Sequence, residues 1–186
     1  MNELTIGTDS NFKLENVGDA YNLIQEKGIK ENLNGEPWVP NMADSHVQSA
    51  IRYKGQWLVS HNNKGYSKGF FMILDGEESH KFDSIKERYN HPSGMQRIGD
   101  YAIAGIENSD NNKSYVSLYD LRDMSAANKV SPRLVEGFCF ESDKYGIASI
   151  GVTKYTRGED NYFLLCIFNP RFSDDEKKQK SRISFF

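Results

Sequence analysis

The sequence is poor in cysteine and proline, with two Cys and five Pro among 186 residues. Two cysteines cannot build the disulfide framework of a small secreted domain. Cys139 and Cys166 both lie in apolar runs, where a thiol acts as a small buried hydrophobe. No run approaches the roughly 18 apolar residues of a membrane helix, and MNELTIGTDSNF lacks the basic and apolar segments of a signal peptide. We therefore expect a soluble protein, with a cytoplasmic location favoured unless a leader has been removed.

The sequence also lacks a strong excess of either charge. Lys and Arg number 23 and Asp and Glu number 26, for a net charge of −3. This balance argues against a strongly basic nucleic-acid binder. The aromatic fraction of 12% and the hydrophobic fraction of 38% exclude a disordered chain and provide for a core.

One helical pattern stands in the first 44 residues. Leu14, Val17, Tyr21 and Ile24 form an apolar stripe at helical spacing. The pattern predicts a helix over 17–27. We expect residues 1–44 to form a helix and loop that pack on a β domain at 45–186.

After residue 45 the chain consists of short apolar, aromatic and β-branched runs separated by turn residues. The gaps between them are too short for the helical crossovers that parallel strands require. The pattern predicts an all-β, antiparallel fold. The predicted strands are 47–53, 56–61, 69–75, 82–86, 94–98, 101–107, 114–121, 133–138, 146–153, 162–168 and 181–185.

Two segments resemble each other and indicate an internal repeat. HVQSAIRYKGQWLVS begins at His46 and HPSGMQRIGDYAIA begins at His91. In each segment an arginine, Arg52 or Arg97, follows the histidine by six residues. A recurring unit of this kind predicts successive equivalent sheets.

The alignment of the two segments omits Lys54 and pairs Trp57 with Tyr101, which gives a period of roughly 45 residues. A weaker third copy begins near KYGIASIGVTKY, with Lys154 in place of the arginines. The period is that of a four-stranded propeller blade.

The segments HVQSAIRYKGQWLVSHNNKGYSKG, YNHPSGMQRIGDYAIAGIENS and SYVSLYDL resemble bacterial β-propeller-like proteins of mostly unassigned function. The resemblance covers roughly residues 40–170. It implies an all-β, propeller-like array of roughly three four-stranded antiparallel blades with one N-terminal helix. Closed propellers usually have four to eight blades, so the array is either incomplete or closed by another chain.

In a propeller the innermost strands line a central channel, so equivalent residues of the repeat would surround one axis. Guanidinium groups there suit a carboxylate or phosphate. The alternative is that these side chains hydrogen-bond between neighbouring blades and fix their packing. The predicted ligand-binding residues are His46, Gln48, Arg52, His91, Gln96 and Arg97.

These observations predict a non-catalytic binding module that holds a protein, glycan or small anion at the loop face near the channel mouth. We expect no cofactor, no metal ligand, no catalytic residue, and no nucleic-acid or membrane partner. One alternative is a hydrolase or lyase in which His46 or His91 is the general base or, with Asp44, a metal ligand. Another is an assembly piece whose open sheet edge joins a copy of itself, as a homo-oligomer or as part of a longer chain.

Overall fold

The structure is a computed structural model, and it describes residues 47–62, 69–83, 89–108, 113–142, 146–169 and 182–186. The predicted helix over 17–27, the segment 1–44 and His46 lie outside these residues. Strands dominate the described chain, and all of them pair antiparallel in three sheets. The expected all-β, antiparallel fold is confirmed.

Sheet I is a four-stranded meander in the order β1-β2-β3-β4. Its strands are β1 (Val47–Tyr53), β2 (Gln56–His61), β3 (Phe70–Asp75) and β4 (Glu78–Asp83). Lys54 and Gly55 close the β1–β2 hairpin, both with positive φ. A two-residue turn of this hand matches the twist of the strands it joins.

Sheet II repeats the meander in the order β5-β6-β7, and two short strands share the outer side of β7. A 3-10 turn at Glu136–Phe138 separates these two short strands. The strands are β5 (His91–Ile98), β6 (Tyr101–Asn108), β7 (Lys113–Asp120), β8 (Arg133–Leu134) and β9 (Phe140–Ser142).

Sheet III has the order β10-β11-β12, with β10 (Ser149–Arg157), β11 (Asp160–Asn169) and β12 (Arg182–Phe185). The sheets stack in sequence, so β1 lies beside β5 and β5 lies beside β10. Within the described ranges, no helix has the length and apolar character needed to cross a membrane.

Two apolar clusters hold the three sheets together. The first lies between sheets I and II and includes Leu58, Phe71 and Ile106. The second lies between sheets II and III and includes Val116 and Ile167. Fully burying one such side chain stabilises the fold by about 1.5–3 kcal/mol, so these clusters fix the stacking order.

The outer faces of sheets I and III differ. On sheet I, a third cluster of Val59, Phe70, Met72 and Leu74 is buried. On sheet III, only the face toward sheet II is buried, and Phe168 on the opposite face is exposed.

Several strand predictions were wrong. Strand 82–86 is β4 at Glu78–Asp83, whose polar sequence hides the strand pattern. The predicted strand 133–138 is β8 followed by the 3-10 turn, and β9 was not predicted. β5 begins at His91 and not at 94, and β10 extends to Arg157 and not only to 153.

Counting from the hairpin turns tests the predicted repeat alignment. Tyr53 pairs with Gln56, and Ile98 pairs with Tyr101. Arg52 and Arg97 each precede the closing pair by one residue, as the alignment predicts. Tyr101 therefore corresponds to Gln56 and not to the predicted Trp57, because both turns have two residues and no residue drops out.

The first strands of sheets I and II also share a shift in their pairing register. The register of β1 shifts between Val47 and Ser49, and the register of β5 shifts between Pro92 and Met95. Both shifts insert one extra residue about five positions before the hairpin turn. Bulges of this kind bend a strand and increase its twist, so the two first strands bend alike.

Candidate functional site

Two of the predicted ligand residues meet at the start of β5. His91 lies opposite Glu107 in the β5–β6 ladder, and its Nδ1 is 3.0 Å from Glu107 Oε2. Gln48 of sheet I reaches His91 from the other side, with 2.8 Å between its Nε2 and His91 Nε2. An amide nitrogen only donates, so His91 accepts at Nε2 and its Nδ1–H donates to Glu107. The imidazole is thus held between the Gln48 amide and the Glu107 carboxylate.

Gln96, another predicted ligand residue, links sheets II and III. Its Nε2 donates to the carbonyl oxygen of Val152 at 2.8 Å, and the Val152 N–H donates to Gln96 Oε1 at the same distance. Both ends of the amide are therefore bonded to the backbone of β10. A side chain bonded in this way fixes the distance between two sheets.

The two predicted arginines lie near the hairpin turns. The Arg52 guanidinium carbon is 5.5 Å from the centre of the Trp57 ring, which faces it across the β1–β2 ladder. Arg97 Nη1 donates to the carbonyl of Gly99 in its own turn at 3.2 Å. Both contacts lie within the arginine's own sheet, whereas Gln48 and Gln96 form the bonds between sheets that the packing alternative describes. The ligand role of these residues and of Gln48, His91 and Gln96 stays a prediction, and His46 lies outside the described chain.

The sequence interpretation missed a charged cluster at the end of β7. The Asp120 carboxylate is only 6% exposed and bonds Arg122 and Arg133, the latter at 3.0 Å. Hydrogen bonds from Arg122 hold the pKa of Asp120 far below its usual range, against the opposing effect of burial. The sequence pattern that could have revealed this cluster is an aspartate at the end of a predicted strand, followed two residues later by an arginine. The cluster anchors the segment that carries β8.

A cleft between sheets II and III was also missed. Its volume is about 570 Å³, which lies in the range of small-molecule sites. Sheet II forms one wall, the β10–β11 hairpin forms the other, and residues 137–139 form a side. The lining residues include no Asp, Glu, Lys, Arg or His. They are Ile98, Tyr101, Ile103, Val116, Leu118, Gly137, Phe138, Cys139, Val152, Asn161, Tyr162, Phe163, Leu165 and Phe186.

Aromatic rings form the rim of the cleft and remain accessible. Phe138, Tyr162, Phe163 and Phe186 are all exposed. Polar groups are few: the Asn161 amide, the tyrosine hydroxyls, and the Cys139 thiol, which donates to the carbonyl of Val135 at 3.4 Å. An apolar cavity with a few polar groups suits an apolar or aromatic molecule better than an anion.

Tyr115 packs against the cluster between sheets I and II, on the face of β7 opposite to the one that lines the cleft. Burial, together with a hydrogen bond to Cys139, raises the pKa of Tyr115 to about 12. Its phenol therefore stays neutral at physiological pH.

The described residues contain no group of three or more His, Cys, Asp and Glu arranged to hold a metal. No family model, curated protein or solved structure matches the chain.

Proposed function

We propose that the protein is a non-catalytic binding module of propeller-like architecture, and that it holds a small, largely apolar molecule in the cleft between sheets II and III. The observation that carries the proposal is the aromatic-rimmed cleft of about 570 Å³, whose lining includes no Asp, Glu, Lys, Arg or His. This position differs from the channel mouth that the sequence favours, because Gln96 and His91 are engaged in bonds between and within sheets.

The propeller-like arrangement has support in the order of the first strands. β1, β5 and β10 lie side by side in chain order, and each begins a meander that runs outward. Side chains bridge these strands in succession. Ser49 Oγ accepts from the N–H of Met95 at 3.0 Å, and Gln96 bonds Val152. In this proposal the sheets are blades, and the helix predicted over 17–27 packs beside them.

The class of ligand follows from the composition of the cleft. Rings on the rim offer stacking surfaces, and the aliphatic wall formed by Ile103, Val116 and Leu118 removes apolar area from water. An anionic ligand would lose its hydration without gaining a cationic partner from the lining. A neutral aromatic compound avoids this cost.

A fluorescence titration with N-phenyl-1-naphthylamine, a neutral apolar fluorophore, tests the proposal. We expect saturable binding of one probe per chain, weakened about tenfold by Phe163→Ser, which removes a ring from the rim. Phe168→Ser is the matched control, because Phe168 lies on the same strand, is exposed and does not line the cleft. Binding that does not saturate, or that falls equally in both variants, would count against the cleft.

A second candidate is a hydrolase or lyase that uses His91 as general base. The observation that favours it is the Glu107–His91 hydrogen bond, because catalytic imidazoles are often oriented by a carboxylate. Gln48 would have to leave His91 Nε2 before that atom could take a proton. If His91→Ala lowers the melting temperature and leaves every measured turnover unchanged, this candidate is excluded.

A further inference from the structure

The outer edges of the three sheets differ in how well they are protected against pairing with another strand. β4, at the edge of sheet I, carries the exposed charges of Glu78, Lys81 and Asp83. The outer edge of sheet II consists of β8 and β9, which have two and three residues. Charged and very short edge strands both discourage pairing with further chains. These two edges are therefore protected.

The edge of sheet III is less protected, because β12 has four residues, its pairing continues to Phe186, and only Arg182 is charged. β12 lies at the end of the sheet order, with no strand beyond it among the described residues. Ile183 is 57% exposed and Phe185 is 63% exposed. The strand and its continuation to Phe186 read RISFF, with one charge and no proline. An exposed, mostly apolar edge of this kind is a template for another strand.

The β11–β12 ladder shows which backbone groups face outward. Phe186 and Leu165 exchange both of their N–H···O bonds, at 2.9 and 3.0 Å. In an antiparallel ladder, such mutually bonded pairs alternate with pairs that do not bond. Ser184 therefore directs its backbone toward β11, whereas the N–H and C=O groups of Ile183 and Phe185 point away from it. The open edge offers two donors and two acceptors.

We propose that two copies of the chain associate through antiparallel pairing of β12 with β12 about a two-fold axis at Ser184. In this register Ile183 of one copy pairs with Phe185 of the other, so all four outward-facing residues are bonded. Ser184 faces Ser184 of the second copy. In the same register, position 182 of one copy pairs with position 186 of the other, so the two arginines do not pair with each other.

The pairing also covers apolar surface. Ile183 and Phe185 lie on the face that carries Phe168, opposite the cleft, because Ile183 pairs with Phe168 in the ladder. The two-fold axis places the corresponding patch of the second copy alongside, and cross-strand contacts between aromatic and β-branched side chains favour the pair. The result is one continuous sheet of six strands, with β10 at both ends.

Disulfide trapping tests the register in the full chain with Cys139→Ser and Cys166→Ser as background. Ser184→Cys places two thiols at a non-bonded pair, where the Cα atoms are about 4.5 Å apart, within the range of a disulfide. We expect a covalent dimer under mild oxidation. Phe185→Cys is the control, because each Phe185 faces Ile183 of the second copy and its own counterpart is about 8 Å away, beyond disulfide reach.

Sedimentation velocity tests the association itself. The wild-type chain should sediment as a dimer. The double variant Ile183→Lys and Phe185→Lys should be monomeric at the same concentration, because charged edges resist pairing. Tyr155→Lys, at another exposed ring of sheet III, should remain dimeric.

Three results would overturn the proposal: a wild-type monomer at every concentration, a dimer that survives the double lysine change, or equal trapping at positions 184 and 185. The trapping comparison stands even if the double lysine variant fails to fold, because single cysteines at these accessible positions change little of the fold.

Discussion

The Gln96 side chain provides a sharp test of how sheets II and III are held together. Its amide forms two hydrogen bonds of 2.8 Å with the N–H and C=O of Val152. Gln96→Met keeps the length and flexibility of the side chain and removes both bonds. Each intramolecular hydrogen bond contributes about 1 kcal/mol net, and an unpaired buried group costs about 1–3 kcal/mol. Because water partly reaches the half-buried Gln96, we expect a loss of about 2–3 kcal/mol.

Equilibrium unfolding in urea measures this loss. A change of 2 kcal/mol lowers the melting temperature of a chain of this size by about 4–8 °C. Thr153→Ala, at the exposed neighbour of Val152 on β10, is the control and should stay within about 0.5 kcal/mol of wild type. If Gln96→Met also stays within that margin, the two bonds do not hold the sheets together, and the apolar cluster between them is sufficient.

Two further predictions concern polar contacts elsewhere in the fold. The two arginines lower the folded-state pKa of Asp120, so its contribution to stability is present above pH about 4 and is lost as the pH falls. Asp120→Asn should cost about 2 kcal/mol at pH 7 in urea unfolding, and a gap to wild type that does not narrow between pH 5 and pH 2 would refute this. A Cβ on Gly146 would overlap the Glu107 carboxylate, so Gly146→Ala should displace Glu107 from His91 and lower the melting temperature. Unchanged His91 imidazole NMR shifts in this variant would contradict it.

The sequence is most informative where short-range patterns decide the structure. The bounds predicted for β1 and β2 agree with the structure because a two-residue turn at Lys54-Gly55 fixes both strands. The polar strand β4 was misplaced because its sequence, ESHKFD, lacks a clear alternation of apolar residues. Local patterns therefore predict apolar hairpins better than polar edge strands.

Local sequence patterns do not predict the contacts between sheets. A glutamine on an inner strand is compatible with either a ligand or a backbone partner, and only the stacking of β5 against β10 brings Gln96 to Val152. The cleft was missed for a similar reason. Its walls come from five strands and a turn that span residues 98–186, and no local pattern shows that these surfaces face each other.

Sheet III is buried on one face only, and this affects the free energy at which its strands open locally. Sheets I and II carry apolar clusters on both sides, whereas β11 and β12 are covered on one side and exposed on the other. Segments with fewer buried contacts open at a lower free energy than the whole molecule. In a single copy of the chain, the amide protons of β11 and β12 will thus exchange with solvent through local opening, whereas those of β3 and β6 will exchange only on global unfolding. The strands that carry the cleft rim and the apolar edge are the part of the fold that reshapes most readily around a bound molecule.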